Sequence, residues 1–254
     1  MQPISKSHII ITVLAIVAII GFFLYRVYKG PAPVVTDLPA ETTPADTTWG
    51  ATEVKKESIN ESNQYYSIDA VYPVTKDPNI AQTLKAFVTD QIAQFKEDTS
   101  WAMDPATSSA AEGSLSLDIN YREQKTAHVQ TYIFSIVTYT GGAHGLQVTR
   151  TFAYTEKGEA LAVTALFTNG QKGLETVAKF VQAEITKKNI SDAEWIKDGA
   201  APTLENYQSF IVGDDGITFV FDAYQVAPYA AGTQNILVPN SVFKSFANPA
   251  LFSK

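Results

Sequence analysis

Two stretches of the chain combine residue types that could bind a ligand or carry out chemistry. The first is the run Gly141-Gly142-Ala143-His144-Gly145, whose glycines permit backbone angles closed to other residues and a close approach of a ligand. The second stretch, 219–232, is rich in aromatic and small residues. It contains an aspartate and two tyrosines, and tyrosine side chains offer rigid amphipathic contact area. If the two stretches meet, Asp222 could orient the imidazole of His144. The predicted binding residues are Gly141, Gly142, His144, Asp222, Tyr224 and Tyr229.

Each stretch also has a purely structural interpretation, and the sequence does not decide between the structural and the functional one. The glycine run could be a tight turn or bulge in which His144 hydrogen-bonds a neighbouring loop. Asp222 and the tyrosines could form a buried polar network, because Pro228 and Gly232 are suited to shaping a loop. The glycine run is not a phosphate-binding loop, since it lacks the following Lys-Ser/Thr and does not open a helix.

Several other kinds of site lack the residues that they need. The chain has no Cys, which excludes disulfides, thiolate zinc sites, a Cys nucleophile and a lipid-modified Cys. No Gly-x-Ser-x-Gly nucleophile elbow occurs. His128 and His144 lack helical pairing, and carboxylates would have to complete any zinc site that included His144 and Asp222. Asp214-Asp215 lies in a turn without a calcium-loop pattern. We therefore predict no metal and no cofactor.

The charge distribution limits the classes of molecule that the protein is expected to bind. After residue 30 the chain carries 16 Lys and Arg against 26 Asp and Glu, a net charge of −10. Nucleic-acid binding would need a clustered basic stripe, which is absent from the sequence, so no nucleic-acid partner is expected. An acidic body would attract a basic protein or a cation, although such a surface also serves solubility alone.

Apolar periodicity predicts the elements that must position these stretches. Strict alternation predicts strands at 66–72, 115–121 and 129–138. The last has apolar residues on both faces, which favours a central place in a sheet. Helical spacing predicts one helix from Pro78, capped by Asp77, and a second over about 171–187.

The remaining segments predict mostly hairpins. We expect Leu146–Tyr154 to turn at 156–158 and to return through 161–167. Residues 189–208 are polar and predict irregular structure. A second hairpin is expected at 210–221, then a short strand at Ile236 and Val238, and a terminal helix capped by Asn240-Ser241. The order favours an α+β fold in which two helices pack on antiparallel sheets.

The N-terminal region predicts a membrane anchor. From His8 to Tyr25 run eighteen residues without a formal charge, the length at which a helix crosses the hydrocarbon core. A cleaved signal peptide has a shorter apolar region and a small-x-small cleavage site. A buried helix is the alternative, but the segment is apolar all round. We expect an uncleaved transmembrane helix over 8–28, and Lys6 roughly balances Arg26 and Lys29, so charge does not orient it.

The composition divides the chain into five parts. A short cytoplasmic tail, 1–7, precedes the anchor at 8–28. A Pro/Thr-rich linker follows at 29–51, where an extended, partly polyproline conformation is expected. The folded body then splits into an N-terminal sub-part, 52–110, and a larger C-terminal sub-part, 111–254, with the boundary in a polar loop of small residues.

Three blocks together carry a family resemblance. They are Tyr66-Ser-Ile-Asp-Ala-Val-Tyr-Pro73, Tyr139-Thr-Gly-Gly-Ala-His144 and Phe219-Val-Phe-Asp222-Ala-Tyr224-Gln-Val-Ala-Pro-Tyr229-Ala-Ala-Gly232. In this order and spacing, over about 60–245, the chain resembles the extracellular domain of RsiV-type anti-sigma factors and the non-catalytic domain of PdaC-type peptidoglycan deacetylases. The resemblance implies a bacterial cell-surface domain with two sub-parts, outside the membrane. RsiV-type domains bind lysozyme, so lysozyme or peptidoglycan is the partner that the resemblance implies.

The chain departs from both relatives. Seven residues before the anchor are too few for a sigma-binding segment, and no further segment long enough for a deacetylase domain is present. The leading expectation is a non-enzymatic, membrane-anchored domain, with its N-terminus cytoplasmic and its body extracytoplasmic, that binds a protein or cell-wall ligand. The alternative is a cell-envelope hydrolase or deacetylase-related enzyme that uses His144 and Asp222. A purely structural envelope protein is a third reading.

Overall fold

The computed structural model describes residues 55–104 and 115–252 of the chain. Within these residues, eight strands form two sheets. The five-stranded sheet has the order β1-β2-β3-β4-β5 and the other the order β6-β7-β8. The strands are β1 Lys56–Ser62, β2 Tyr66–Pro73, β3 Leu115–Lys125, β4 Val129–Tyr139, β5 Leu146–Thr155, β6 Phe210–Gly213, β7 Gly216–Phe221 and β8 Gln234–Pro239. The predicted anchor at 8–28 and linker at 29–51 lie outside the described residues.

Five α-helices complete the described part of the chain: α1 Pro78–Asp98, α2 Gly170–Lys188, α3 Ala193–Gly199, α4 Asn240–Phe243 and α5 Pro249–Phe252. Helix α1 begins as predicted, because the Asp77 side chain accepts hydrogen bonds from the N–H groups of Asn79 and Ile80. Helix α2 is capped by Asn169 and ends at Asn189, which adopts the left-handed conformation. Among the helices of residues 55–104 and 115–252, none is long and apolar enough to cross a membrane.

The predicted α+β class with mostly antiparallel sheets is confirmed, with two differences. Strands β2 and β3 pair in parallel, with Tyr66 opposite Leu115 and Ala70 opposite Ile119, and α1 lies between them in the chain. Such a pair needs a crossover connection, which α1 supplies. Besides the two predicted packed helices and the predicted terminal helix, which is α4, the described residues contain α3 and α5, whose short length leaves little periodicity in the sequence.

One core lies between α1 and the five-stranded sheet. The helix buries the residues that share its inner face, namely Ile80, Leu84, Val88, Ile92 and Phe95. They meet alternate residues of β2, β3 and β4, of which Ala70, Ile119 and Phe134 are fully buried. The 3.6-residue period of the helix and the 2-residue period of the strands therefore point their apolar residues into the same space.

A second core lies around the three-stranded sheet. The apolar residues of α2 pack with one face of β6, β7 and β8, including Phe219, Phe221 and Val238. On the opposite face of this sheet, Ile211 and Val220 contact Ile133 of β4. Strand β4 is therefore buried on both faces and lies between β3 and β5, which confirms its predicted central position.

Three local predictions were wrong. After β5 the chain does not return as a strand: one bridge joins Tyr154 to Ala160, and residues 163–166 form a 3-10 helix. Residues 189–208 are not wholly irregular, because α3 lies within them, capped by Asp192. Asn240 does not cap the terminal helix; its side chain donates to the backbone oxygen of Asp214, and the helix ends at 243.

The predicted boundary at residue 110 falls in the segment 105–114, outside the described residues. Strands β2 and β3, on either side of it, belong to the same sheet. The division of the body into sub-parts 52–110 and 111–254 stays a prediction.

Candidate functional site

The glycine run forms the loop between β4 and β5. Gly141 and Gly142 have φ angles of 98° and 107°, in the left-handed range that favours glycine. The Tyr139 hydroxyl donates to the Gly142 carbonyl over 2.9 Å, which ties the loop to the end of β4. A Cβ at Gly141 would lie 3.6 Å from the ring of Trp101, so the loop passes over that indole. The run therefore forms a turn, and its role in ligand binding stays a prediction.

His144 projects from this loop as an exposed side chain. Its Nδ1 lies 3.0 Å from the carbonyl oxygen of Gly145, a contact that requires the proton on Nδ1. The imidazole stacks on the ring of Tyr229, with centroids 3.8 Å apart and planes inclined by 18°. The Tyr229 hydroxyl donates to the same Gly145 carbonyl over 3.0 Å, so one carbonyl fixes both rings.

Tyr224 completes a group of three exposed rings. Its ring centroid lies 5.6 Å from that of Tyr229, with the planes inclined by 35°. Tyr224 and Tyr229 are 48% and 37% exposed, so both rings are open to contact by a ligand. We call His144, Tyr224 and Tyr229 the ring cluster.

The backbone at Tyr224 adopts a conformation that is rare for a large residue. Its φ angle is 70°, in the left-handed region. A non-glycine residue in that region costs about 1–3 kcal/mol and persists only where its surroundings fix it. Here the Tyr224 N–H donates to the Ala227 carbonyl over 3.1 Å, and the Tyr224 carbonyl accepts from Trp195 Nε1 over 3.0 Å. Helix α3 thus holds the loop that carries the ring.

Of the two roles considered for Asp222, the hydrogen bonds match the structural one, although the partners are on β5 and not the tyrosines. Its Oδ1 accepts from the Thr149 N–H over 2.8 Å, and its Oδ2 accepts from Arg150 Nη1 over 2.9 Å. Burial raises the pKa of Asp222 above its ordinary value, more than these two donors lower it. Among the described residues, no hydrogen bond joins Asp222 to His144. The carboxylate fastens the loop after β7 to β5 rather than orienting the imidazole.

The structure therefore brings His144, Tyr224 and Tyr229 together, while Asp222 anchors the loop after β7 to β5. Two partners were missed by the sequence analysis. Trp195 lies in the segment predicted to be irregular, although Asp192 three residues earlier is a helix-cap signal. Arg150 pairs with Asp222 across 72 residues, and no local pattern predicts so distant a contact.

A groove of about 490 Å³ lies apart from these residues, along β5 and the segments 160–163 and 204–210. In the part of the chain that the structure describes, its lining is largely apolar and includes none of the six predicted binding residues. The same residues, 55–104 and 115–252, contain no group of three or more His, Asp or Glu side chains that could hold a metal ion.

Two protein families match successive segments of the chain. Residues 59–147 match the family described as deacetylase PdaC, and residues 164–241 match DUF3298, a family of unknown function. The chain is 28% identical over 257 residues to the peptidoglycan-N-acetylmuramic acid deacetylase PdaC of Bacillus subtilis. That match covers 100% of this chain and 52% of the deacetylase, so the chain spans about half the length of this relative.

A second relative and a solved structure extend the comparison. The chain is 26% identical over 205 residues to the immunogenic protein MPT64 of Mycobacterium tuberculosis, covering 76% of this chain and 86% of that protein. The crystal structure of a DUF3298 member from Bacteroides fragilis aligns with a TM-score of 0.51 at 18% identity, over 78% of this chain and 96% of that one. This structural match shows a shared fold only.

The family matches and the PdaC relative identify a PdaC-type DUF3298 domain in this chain. The resemblance to PdaC-type deacetylases is thereby confirmed, and the resemblance to RsiV-type anti-sigma factors stays a prediction.

Proposed function

We propose that this chain is a membrane-anchored extracytoplasmic domain that binds a ligand of the bacterial cell envelope without catalysing a reaction on it. The ring cluster is the observation that carries the proposal. Three large polar-tipped rings lie exposed on two loops, and hydrogen bonds to Gly145, Ala227 and Trp195 hold those loops. Exposed aromatic residues fixed in this way give contact area at a low entropic cost, which suits recognition.

The hydrogen bonds favour binding over catalysis. A general acid–base pair must lie within hydrogen-bond reach, with the base oriented by its partner. Both carboxylate oxygens of Asp222 are already bonded to β5, and the His144 Nδ1 contacts its own backbone. A hydrolase or deacetylase-related activity through His144 and Asp222 would require this arrangement to come apart.

Peptidoglycan is the ligand class that we favour. The relative from Bacillus subtilis is named a peptidoglycan-N-acetylmuramic acid deacetylase, and its match covers the whole of this chain. Because this chain spans only 52% of that relative, we carry over the association with the wall and not the reaction.

Lysozyme is a second candidate partner, favoured by the net charge of −10 after residue 30. Long-range attraction between an acidic body and a basic protein speeds association and is screened by salt. Raising the salt concentration from about 0.05 to 0.5 M should slow association strongly and change dissociation little. If the full chain does not bind lysozyme even at low salt, this candidate is excluded.

The anchor and its orientation are part of the same proposal. The apolar span at 8–28 and the Pro/Thr-rich linker at 29–51 would hold the body off the outer surface of the membrane. Protease added to intact cells should remove the body. If the body survives until the cells are lysed, the proposed orientation is wrong.

Binding to purified cell wall tests the ligand class directly. The full chain, kept in detergent micelles, is mixed with insoluble peptidoglycan and the wall is sedimented. We expect the chain to sediment with the wall and not with an equal mass of cellulose. If neither peptidoglycan nor lysozyme retains the chain, the proposed binding function is refuted.

A further inference from the structure

The rings exposed beside the glycine run suggest a specific class of ligand. We infer that the ring cluster of His144, Tyr224 and Tyr229 binds the sugar rings of an uncharged, N-acetylated glycan chain. This inference rests on the proposed function, because it names the chemistry by which the domain would hold the cell wall. It is tested below in a way that separates its failure from the failure of that function.

The shape and exposure of the cluster fit a flat, partly apolar ligand. Centroid separations of 3.8 and 5.6 Å join the three rings into one continuous surface. One face of Tyr229 is covered by His144, so the exposed parts of Tyr224 and His144 supply most of the remaining contact area. A pyranose ring presents C–H groups on its faces, and such groups pack against aromatic faces and edges.

The polar atoms around the rings match the donors of a sugar. With its proton on Nδ1, a neutral His144 imidazole keeps Nε2 as an acceptor. The Gly142 carbonyl accepts from the Tyr139 hydroxyl and keeps a second lone pair, whereas the Gly145 carbonyl already accepts from both Tyr229 and His144. Sugar hydroxyls and the N–H of an acetamido group are the donors that would meet these acceptors.

The charges near the cluster argue for a neutral ligand. The contacts of the three side chains are to one another and to the Gly145 carbonyl. The carboxylate of Asp222, which anchors the loop that carries the tyrosines, is paired with Arg150. A surface built to receive a basic protein would instead present unpaired carboxylates at its centre.

The backbone around Tyr224 fixes the position of its ring. Its left-handed conformation is held from both sides by Ala227 and Trp195. Gln225 is fastened as well, since its Nε2 donates to the carbonyls of Gly199 and Asn206. A strained residue that is held by its surroundings is characteristic of a ligand site, because a preorganised ring loses little entropy on binding.

The test measures binding of a β-1,4-linked N-acetylglucosamine tetramer to the full chain in detergent micelles, by calorimetry. Tyr224→Ala and Tyr229→Ala should each weaken binding by about tenfold or more, which is the effect expected of a buried contact residue. Tyr224→Phe keeps the ring and should bind within about twofold of the unsubstituted chain. Leu237→Ala is the matched control, because Leu237 is 50% exposed on β8 and lies outside the cluster.

Two further measurements are the salt dependence of tetramer binding and the displacement of the chain from peptidoglycan by the tetramer. Affinity for the neutral tetramer should change less than about twofold between roughly 0.05 and 0.5 M salt, since screening acts on charges. The tetramer should also displace the chain from sedimented peptidoglycan. Thermal unfolding of each variant shows whether it is folded, and Tyr224→Phe provides a variant whose packing is least disturbed.

Each outcome bears on one proposal. If the chain sediments with peptidoglycan but the tetramer neither binds nor competes, the inference is refuted and the proposed function stands. The same holds if both alanine variants bind the tetramer as well as the unsubstituted chain does. If the chain binds neither the wall nor the tetramer, the favoured peptidoglycan function fails together with the inference.

Discussion

The left-handed backbone at Tyr224 gives a stability prediction whose sign is unusual. Tyr224→Gly and Tyr224→Ala both remove the ring and its contact with Tyr229, so their difference reports the backbone alone. An L-residue in the left-handed region costs about 1–2 kcal/mol relative to the right-handed one, and glycine avoids this cost. Glycine loses about 0.5–1 kcal/mol relative to alanine through the entropy of the unfolded chain. We therefore expect Tyr224→Gly to be more stable than Tyr224→Ala by about 0.5–1 kcal/mol.

A neighbouring position supplies the control. Ala230 is exposed in the 3-10 turn Tyr229–Ala231 and has an ordinary negative φ angle. There, Ala230→Gly should lower stability by about 0.5–1 kcal/mol, so the same comparison of glycine with alanine takes the opposite sign. Urea unfolding of the full chain in detergent micelles, followed by circular dichroism, measures both differences.

If Tyr224→Gly is no more stable than Tyr224→Ala, residue 224 is not held in the left-handed conformation in solution. Trp195 and Ala227 would then not preorganise the ring, whatever the glycan measurements show. Equal slopes of the unfolding free energy against urea are required for the comparison, because a changed slope signals a changed unfolded or folded state.

Three further predictions concern the anchors and the interior. Asp222→Ala leaves the Thr149 N–H without its acceptor and removes the anionic partner of Arg150, whose Nη1 keeps its bond to the Thr149 carbonyl, and it should lower the free energy of unfolding by about 2 kcal/mol, measured by urea unfolding. Burial raises the pKa of Glu123 in the folded protein. The stability of the fold is therefore highest below the unfolded pKa of about 4.3, where Glu123 is protonated, and falls as pH rises through the folded pKa. Glu123→Gln does not ionise, so it should gain stability relative to the unsubstituted chain as pH rises from about 4 to 7. A Cβ at Gly199 would lie 1.8 Å from the Gln225 carbonyl oxygen, so Gly199→Ala should cost at least about 2 kcal/mol, whereas Gly213→Ala, with 3.6 Å to its nearest neighbour, should be tolerated. Thermal unfolding of the two glycine variants side by side checks the last prediction.

The elements that could be predicted are those with a long, regular pattern. Helix α1 has a cap, a proline at its first position and a single apolar face, and its start was predicted to the residue. Strand β1 was missed, because it lies at the sheet edge and Ile59 is its only large apolar residue. The parallel pairing of β2 with β3 was missed for another reason: alternation identifies a strand but not its neighbour or direction.

The candidate site, like the fold, could be predicted only in part. Residue types alone selected His144, Tyr224 and Tyr229, which do lie together. The role of Asp222 could not be predicted, because its partners on β5 are set by how the two sheets pack and not by any local spacing. The contribution of Trp195 depends likewise on α3, a helix of seven residues that is too short to show a period.

The distance along the chain between the two loops of the ring cluster sets when the site can form. The Tyr229 hydroxyl and the Gly145 carbonyl that it meets are 84 residues apart in sequence. At roughly 5–20 residues per second, synthesis of the intervening segment takes on the order of several seconds, during which the first loop waits without its partner. Closing so long a loop is also entropically costly until α2 and the second sheet have folded between its ends. The ring cluster therefore assembles only after residue 229 has been synthesised and the second sheet has folded.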